Sequence, residues 1–309
     1  MNETKGIDAE RVKKTERIKK VAQGVGDLPT LPTVVSKMIG LIDDQNASAD
    51  TLARLISTDA ALTARLLKRA NAAYYGYQRE ISTVNMAIAV LGFGAVKDMG
   101  LWLSVFDTFK GADSAAAGFD AVKFWEHSAA CGVAARMLSK SCASRHAGEA
   151  FVAGLLHDMG KMMLNRYFGA DLVAVLKTAQ SDGYDLDRAE NEILGVGHGD
   201  VGAWLAENWN LPPIICDAVK HHHAPWEAAV EPAFAATVTV ADTLCHLAKI
   251  GDSGRKVCPE YDERLWQIFD NENIPIDESD LRRLQADFLA EYGESDAYAV
   301  AVDGNNNIF

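Results

Sequence analysis

Apolar residues recur along most of the chain at the three- and four-residue spacing of an amphipathic α-helix, and strict alternation of apolar and polar residues is almost absent. Glycine and proline interrupt the sequence at intervals, and the segments between them are rich in alanine, leucine, valine and methionine. Because helix interiors tolerate glycine and proline poorly, these positions mark helix boundaries. The pattern predicts an all-α protein.

Capping residues predict individual helix ends. Ser48, Asp59 and Ser82 each precede a segment with helical apolar spacing and are expected to cap three helices of the N-terminal part. The proline pair at 212–213 predicts a break between two later helices. Helices are also expected over 121–140, over 232–249 and near 279–292.

Changes in composition divide the chain. A basic lead-in covers 1–26, a helical lobe covers 27–110, and the small, flexible GADSAAAG at 111–118 is interpreted as a linker. A second helical lobe is expected over 120–250 and an acidic extension over 251–309. The predicted architecture is therefore two helical lobes, the second of them a helical bundle.

The net charge of −13 is unevenly distributed. The lead-in has seven basic residues against four acidic ones, whereas residues 255–309 have five basic against thirteen acidic. An acidic body argues against broad nucleic-acid binding, although a cationic pocket within it would still attract a small anionic ligand. The charge pattern gives no indication of an oligomeric state.

Two features concern the compartment. No apolar run reaches the roughly 18–20 residues of a membrane span, and the N-terminus lacks the apolar stretch of a secretory signal. The five cysteines are widely spaced and contain no CxxC pair, which is typical of reduced thiols rather than a disulfide framework. A cytoplasmic location is expected.

Several polar residues fall on helix faces that the spacing predicts to be buried. His127 lies on the apolar stripe of one helix, and Asp242 lies on that of another, where a carboxylate is costly unless it is paired or binds a metal. His157 and Asp158 follow the apolar run FVAGLL, and Lys161 comes three residues later. Each position alone has an ordinary explanation, such as a core histidine or a buried salt bridge.

Further histidines join this set. His198 begins another predicted helix, and three consecutive histidines follow at 221–223. Neighbours on a helix are rotated by about 100°, so these three cannot share one face. Imidazole and carboxylate together favour Fe, Mn, Zn, Ni or Co, and the set predicts a site for one or two divalent transition-metal ions. The predicted ligands are His127, His157, Asp158, His198, Asp242 and one or two of the three histidines at 221–223, with another of the three meeting solvent.

The order of these residues resembles the HD phosphohydrolase superfamily, with LLHDMGK and TVTVADTL as local context. The resemblance implies that His127, the His157–Asp158 pair and Asp242 hold one metal. In the cyclic-dinucleotide phosphodiesterases of the HD-GYP type, the intervening histidines add a second metal, and the resemblance gives these as His198, His221 and His222. Such sites activate water and bind phosphate oxygens.

The N-terminal lobe narrows the resemblance. LPTLPTVVSKMIGLIDD, ARLISTDAALTARLLKRANAAYYG and ISTVNMAIAVLGFGAVKDMGL look very much like the HDOD domain, and the resemblance covers roughly 22–250. It implies a bacterial signalling output module. One departure from HD-GYP is that Ala-Pro-Trp follows the histidines, where that pattern has a glutamate and then a Gly-Tyr-Pro loop.

Three functions are compatible with these features. The first is a metal-bearing signal-transduction output module that binds a signalling protein or a small phosphate-containing ligand. The second is a metal-dependent phosphohydrolase or phosphodiesterase acting on a nucleotide or cyclic dinucleotide, in which Asp158 and Lys161 would be catalytic. The third is a helical scaffold with a vestigial site.

Overall fold

A computed structural model describes residues 2–24, 31–41, 47–73, 81–109, 118–142, 144, 146–179, 185–255 and 262–294. Across these ranges the chain forms sixteen α-helices, two 3-10 helices and no β-strand, which confirms the all-α prediction. Apart from Gly118, the predicted linker lies outside the described residues.

The first six helices are α1 (Asn2–Ala22), α2 (Thr33–Gly40), α3 (Ala49–Ser57), α4 (Ala60–Ala73), α5 (Val84–Leu91) and α6 (Phe93–Phe109). The next eight are α7 (Ala121–Ser141), α8 (Ala147–Leu156), α9 (Met159–Tyr167), α10 (Gly169–Ala179), α11 (Leu186–Leu194), α12 (His198–Asn208), α13 (Pro213–His221) and α14 (Pro232–Ala248). The last two are α15 (Glu263–Asn271) and α16 (Leu281–Glu294). The 3-10 helices are Pro225–Glu227 and Glu278–Asp280.

Local capping fixes the N-terminal helices. Ser48 Oγ accepts a hydrogen bond from a backbone N–H in the first turn of α3, and Asp59 Oδ1 accepts one from the first turn of α4. The third predicted cap is wrong by one residue. Thr83, not Ser82, caps α5, because Thr83 is the extended residue directly before the helix and its Oγ1 accepts from Met86 N at 3.1 Å.

Helix α7 lies at the centre of the C-terminal bundle, where it packs against α8, α14 and α16. Helix α15 packs on α14, so the helices after residue 262 lie against the bundle, and Phe288 of α16 is fully buried. Helix α6 contacts α8, and a buried ion pair joins Asp98 of α6 to Arg136 of α7. Helices that precede residue 110 and helices that follow residue 118 are therefore in direct contact.

Helix α1 packs against α11 and α12 instead of extending into solvent. Its Ile18 and Ala22 are fully buried. Lys14 Nζ donates to Asp171 Oδ1 at 2.8 Å and to Ile193 O at 3.3 Å, and Thr15 Oγ1 donates to the next carbonyl of α11 at 3.0 Å. These side chains satisfy carbonyl groups at the C-terminal end of α11 that have no helical partner.

The junction between α1 and α11 predicts a specific sensitivity. Gly195 ends α11 with a left-handed φ of 75°, and a Cβ there would lie 2.4 Å from Thr15 Oγ1. Gly195→Ala is therefore expected to lower the free energy of unfolding by about 1–3 kcal/mol and to make α1 sensitive to limited proteolysis. Gly94→Ala is the matched control, because a Cβ at Gly94 meets nothing within 4 Å. Equal stability of both variants would contradict the tight junction.

Among the helices of the described ranges, none combines the length and the apolar character that crossing a bilayer requires.

Candidate metal centre

Five structural elements bring histidine and aspartate side chains to one place in the C-terminal bundle. They are α7, the two-residue junction between α8 and α9, the first residue of α12, the turn that follows α13, and α14. Most of the converging side chains are almost completely buried. The converging residues are His127, His157, Asp158, His198, His222, His223, Asp242 and His246.

The first centre is formed by His127, His157, Asp158, Asp242 and His246. Asp242 Oδ1 lies 2.9 Å from His127 Nε2, 3.3 Å from His246 Nε2 and 3.7 Å from His157 Nε2. His157 Nε2 is also 3.4 Å from Asp158 Oδ2. The donor atoms of His127, His157 and Asp158 lie close together, and so do those of His127, Asp242 and His246. Imidazole and carboxylate together are a donor set that suits a transition metal.

The second centre is formed by Asp158, His198, His222 and His223. Asp158 Oδ1 lies 3.2 Å from His198 Nε2 and 3.7 Å from His222 Nε2. His198 Nε2 lies 3.0 Å from His223 Nε2. Asp158 belongs to both centres, with Oδ2 facing the first and Oδ1 facing the second.

The protonation pattern of these imidazoles indicates that the site requires positive charge. His157 Nδ1 lies 2.7 Å from Gly154 O, and His222 Nδ1 lies 2.7 Å from Val219 O. A ring nitrogen facing a carbonyl must be the protonated donor, so in the neutral imidazole Nε2 carries a lone pair directed at the carboxylate.

Two buried atoms test whether a metal fits. Among the described residues, His157 Nε2 and Asp158 Oδ1 have no hydrogen-bond partner. Such groups are costly to bury unless a cation or proton lies between them. The donor types and the unsatisfied atoms both fit a divalent cation, and the structure therefore contains His/Asp groups capable of holding metal.

Two carboxylates of α11 support His198. Glu190 Oε2 accepts hydrogen bonds from His198 N and lies 2.7 Å from its Nδ1, and Asp187 Oδ1 lies 3.3 Å from the same Nδ1. A carboxylate behind a histidine fixes its ring and raises its basicity as a ligand. Sequence reasoning missed Glu190, although its four-residue spacing from the buried Leu186 and Leu194 could have indicated it.

Lys161 is the buried counter-charge of Asp158. Its Nζ donates to Asp158 Oδ2 at 2.8 Å, and the side chain is only 4% exposed. Burial alone would raise the pKa of Asp158, but His157 and Lys161 hold that pKa well below its usual range. Lys161 therefore keeps the shared carboxylate ionised.

The histidine run is arranged differently from the prediction. The structure does not bring His221 into either centre: its Nδ1 lies 2.9 Å from Asp217 Oδ1, one turn earlier on α13. His223 lies in the second centre instead, and His246 lies in the first, although neither was predicted as a ligand. The reason is that α13 ends at His221, so helical spacing no longer applies to the two histidines that follow.

Backbone packing places the second centre against the shared aspartate. A Cβ on Gly160 would lie 2.0 Å from His198 O, so α9 and α12 touch through their main chains at this point. This contact brings His198 beside Asp158, two residues before the glycine.

The metal-free chain has a predicted pH dependence. Burial disfavours protonation of His198, but Glu190 and Asp158 outweigh it and raise the pKa to about 9, whereas burial lowers the pKa of His222 to about 4. Because the pKa of His198 is raised in the folded state, its protonation contributes fully to stability below the unfolded-state pKa of about 6.5. This contribution is lost as the pH rises through about 9. Chelator-treated protein should therefore lose about 1.4 kcal/mol of unfolding free energy per pH unit in this window.

Urea denaturation at pH 6.5 and at pH 9 measures this loss. The matched variant His198→Gln should show a shallower slope, because one of the histidines with a raised pKa has been removed while His157 remains. Unfolding free energies that are equal at the two pH values in the unsubstituted chain would contradict the protonated state of His198.

Comparison with known proteins defines the fold family. The HDOD domain profile matches residues 28–225. An HDOD domain protein of unknown function from Geobacter sulfurreducens has 25% identity and a TM-score of 0.71, with 90% of this chain and 98% of that chain covered. A protein from Marinobacter aquaeolei VT8, provisionally described as a signal transduction protein, has 20% identity and a TM-score of 0.71, with 94% and 64% covered.

An uncharacterised protein from Treponema pallidum is 22% identical over 204 residues, which is 66% of this chain. The chain spans 39% of the length of this curated relative. The HDOD profile extends from the N-terminal helices through the second centre and ends just after the histidine run, and it covers well over half of the chain. The chain belongs to the HDOD domain family.

Proposed function

We propose that the chain is a metal-binding regulatory module of signal transduction, which holds two divalent transition-metal ions that share Asp158. In this proposal His127, His157 and Asp242 complete the first position, with His246 adjoining it. His198 and His222 complete the second, with His223 beside them.

The observation that carries the proposal is the shared carboxylate. Asp158 is buried, its Oδ1 has no hydrogen-bond partner among the described residues, and donor atoms approach it from both sides. A buried acidic group surrounded by imidazoles has few stable states other than protonated imidazoles or bound metal. Metal binding replaces those protons, and the donor set suits Fe, Mn, Zn, Ni or Co.

A regulatory role is inferred from the description of a protein with a similar fold. The Marinobacter aquaeolei protein of similar fold is described as a signal transduction protein, and we infer a signalling partner for this chain as well. In such a module the metals stabilise the arrangement of α7, α12 and α14, and thereby the surface presented to the partner.

Elemental analysis tests the metal proposal. Protein purified without a histidine tag is expected to contain between one and two equivalents of transition metal per chain, and a chelator should remove them and lower the melting temperature. Protein that contains almost no transition metal and does not take it up on titration with Mn²⁺ would refute the proposal.

A second candidate is a metal-dependent phosphohydrolase, which the ammonium group of Lys161 next to Asp158 favours. Divalent metals bound there would supply positive charge to phosphate oxygens and lower the pKa of water. The chain's own part would be to hold Asp158 ionised through Lys161 and to orient His198 through Glu190.

Hydrolysis of bis(4-nitrophenyl) phosphate separates the two candidates. A rate that depends on added Mn²⁺ and that disappears in Asp158→Asn favours the phosphohydrolase. Absence of turnover in fully metal-loaded protein favours the regulatory module.

A further inference from the structure

The described side chains around the two centres differ in their exposure to solvent. The side chains of His157, His198 and Asp158 are at most 1% exposed. His223 and Asp187, at 22% and 23%, are the most exposed groups around the second centre. A ligand would therefore approach the metals past these two residues, which we call the entrance.

The segment 250–255 after α14 runs along this side. Asp252 N donates to Lys123 O of α7 at 3.0 Å, and Ser253 Oγ lies 3.3 Å from His246 Nε2 of the first centre. These contacts anchor the segment next to the metal ligands and bring its last residue, Arg255, to the entrance. The segment lies beyond residues 28–225, so the family match assigns no role to it.

Arg255 reaches the entrance through Asp187. Its Nη2 donates to Asp187 Oδ2 at 2.7 Å and to Asp185 Oδ1 at 3.3 Å. The other oxygen of Asp187 lies 3.3 Å from His198 Nδ1 and 3.5 Å from His223 Nε2. The guanidinium is therefore separated from two residues of the second centre by a single carboxylate.

The Arg255 side chain is only 8% exposed, and both of its carboxylate partners are more exposed than it is. With divalent ions bound, positive charge would exceed the charge of the surrounding carboxylates, so the entrance would attract an anion. A planar guanidinium is well suited to bind two oxygens of a phosphate group.

We propose that Arg255 is the anion-binding residue of the entrance and binds a phosphate group of the ligand that approaches the metals. This inference rests on the proposed metal function and adds to it the residue that would bind a phosphate group of the ligand. On binding, the guanidinium exchanges one of its aspartate contacts for phosphate oxygens, while Asp187 continues to face His198 and His223.

Calorimetric titration of the Mn²⁺-loaded full chain with inorganic phosphate tests the proposal. Arg255→Gln is expected to weaken phosphate binding at least tenfold, whereas Arg255→Lys, which keeps the charge, should lose less. Arg264→Gln is the matched control, because Arg264 pairs with Asp262 and stacks over the Trp226 ring at the surface of α15. The control should bind phosphate as the unsubstituted chain does.

The metal content of each variant, measured in parallel, distinguishes the possible failures. Unsubstituted protein that takes up no metal would refute the proposed function itself. Metal-loaded protein that does not bind phosphate, or that binds it equally well in Arg255→Gln, would overturn the inference and leave the metal function standing. Loss of metal from Arg255→Gln would also overturn it, because Arg255 would then serve to hold the centre together.

Discussion

Asp158→Asn is expected to abolish metal binding at both positions, although it removes a single charge. The two oxygens of Asp158 face different centres, so this one substitution should weaken both. Changes behind the ligands of metal sites already cost 10- to 100-fold in affinity. We therefore expect a loss of more than about 100-fold at each position.

The same substitution should destabilise the metal-free chain. Lys161 would remain buried without its ionised partner, and breaking one side of a buried pair costs about 3–5 kcal/mol. Chelator competition measures the metal affinity, and urea denaturation measures the stability. His222→Gln is the comparison, because it should weaken the second position and leave the first intact. Retention of one full equivalent of tightly bound metal by Asp158→Asn would show that the centres do not share this carboxylate.

Arg136→Met is expected to lower the free energy of unfolding by about 3–5 kcal/mol. Arg136 forms ion pairs with Asp98 of α6 and with Glu291 of α16, and it lies over the Phe151 ring. Asp98 is 1% exposed, so without the guanidinium its carboxylate would be buried and uncompensated. The contact between α6 and α7 would weaken, and so would the attachment of α16 to α7.

A double substitution tests the electrostatic origin of this effect. Asp98→Leu combined with Arg136→Met removes both charges, and it should recover much of the stability that Arg136→Met loses, because no unpaired charge remains. Arg188→Ala at the exposed pair with Glu192 is the surface control and should cost less than about 1 kcal/mol. Similar losses in Arg136→Met and in the double variant would point to lost packing instead.

The helical architecture was predictable because its determinants are local. Apolar spacing and caps such as Ser48 and Asp59 are properties of short segments, and the structure places helices where they indicated. The same holds for the break at the proline pair, since α12 ends at Asn208 and α13 begins at Pro213. The local sequence could not distinguish Thr83 from Ser82 as the cap of α5, because both of these adjacent residues carry a hydroxyl group.

The candidate site was predictable to the extent that burial follows from periodicity. His127 and Asp242 lie on apolar stripes, and the structure brings them within 2.9 Å of each other. Periodicity carries no information beyond the end of α13, and the resemblance to the HD superfamily pointed to His221 rather than His223. His246 follows Asp242 by four residues, so helical spacing alone could have placed it on the same face.

The entrance could not be predicted, because it depends on contacts between distant segments. Asp187 and Arg255 are 68 residues apart, and each looks like an ordinary surface residue in its own segment. Similarly, the α1 side chains that bind the end of α11 lie more than 170 residues before it. Such pairings result from tertiary packing, which no local pattern encodes.

The main-chain contact at Gly160 has a consequence for how relatives of this protein should be sorted. Any side chain at this position would force α9 and α12 apart and separate His198 from Asp158, while every metal ligand remained in the sequence. A relative with the complete set of histidines and aspartates but without this glycine is therefore expected to have lost the second metal position. A count of metal ligands alone would predict two metal positions in such a protein, whereas the residue at position 160 would show that one has been lost.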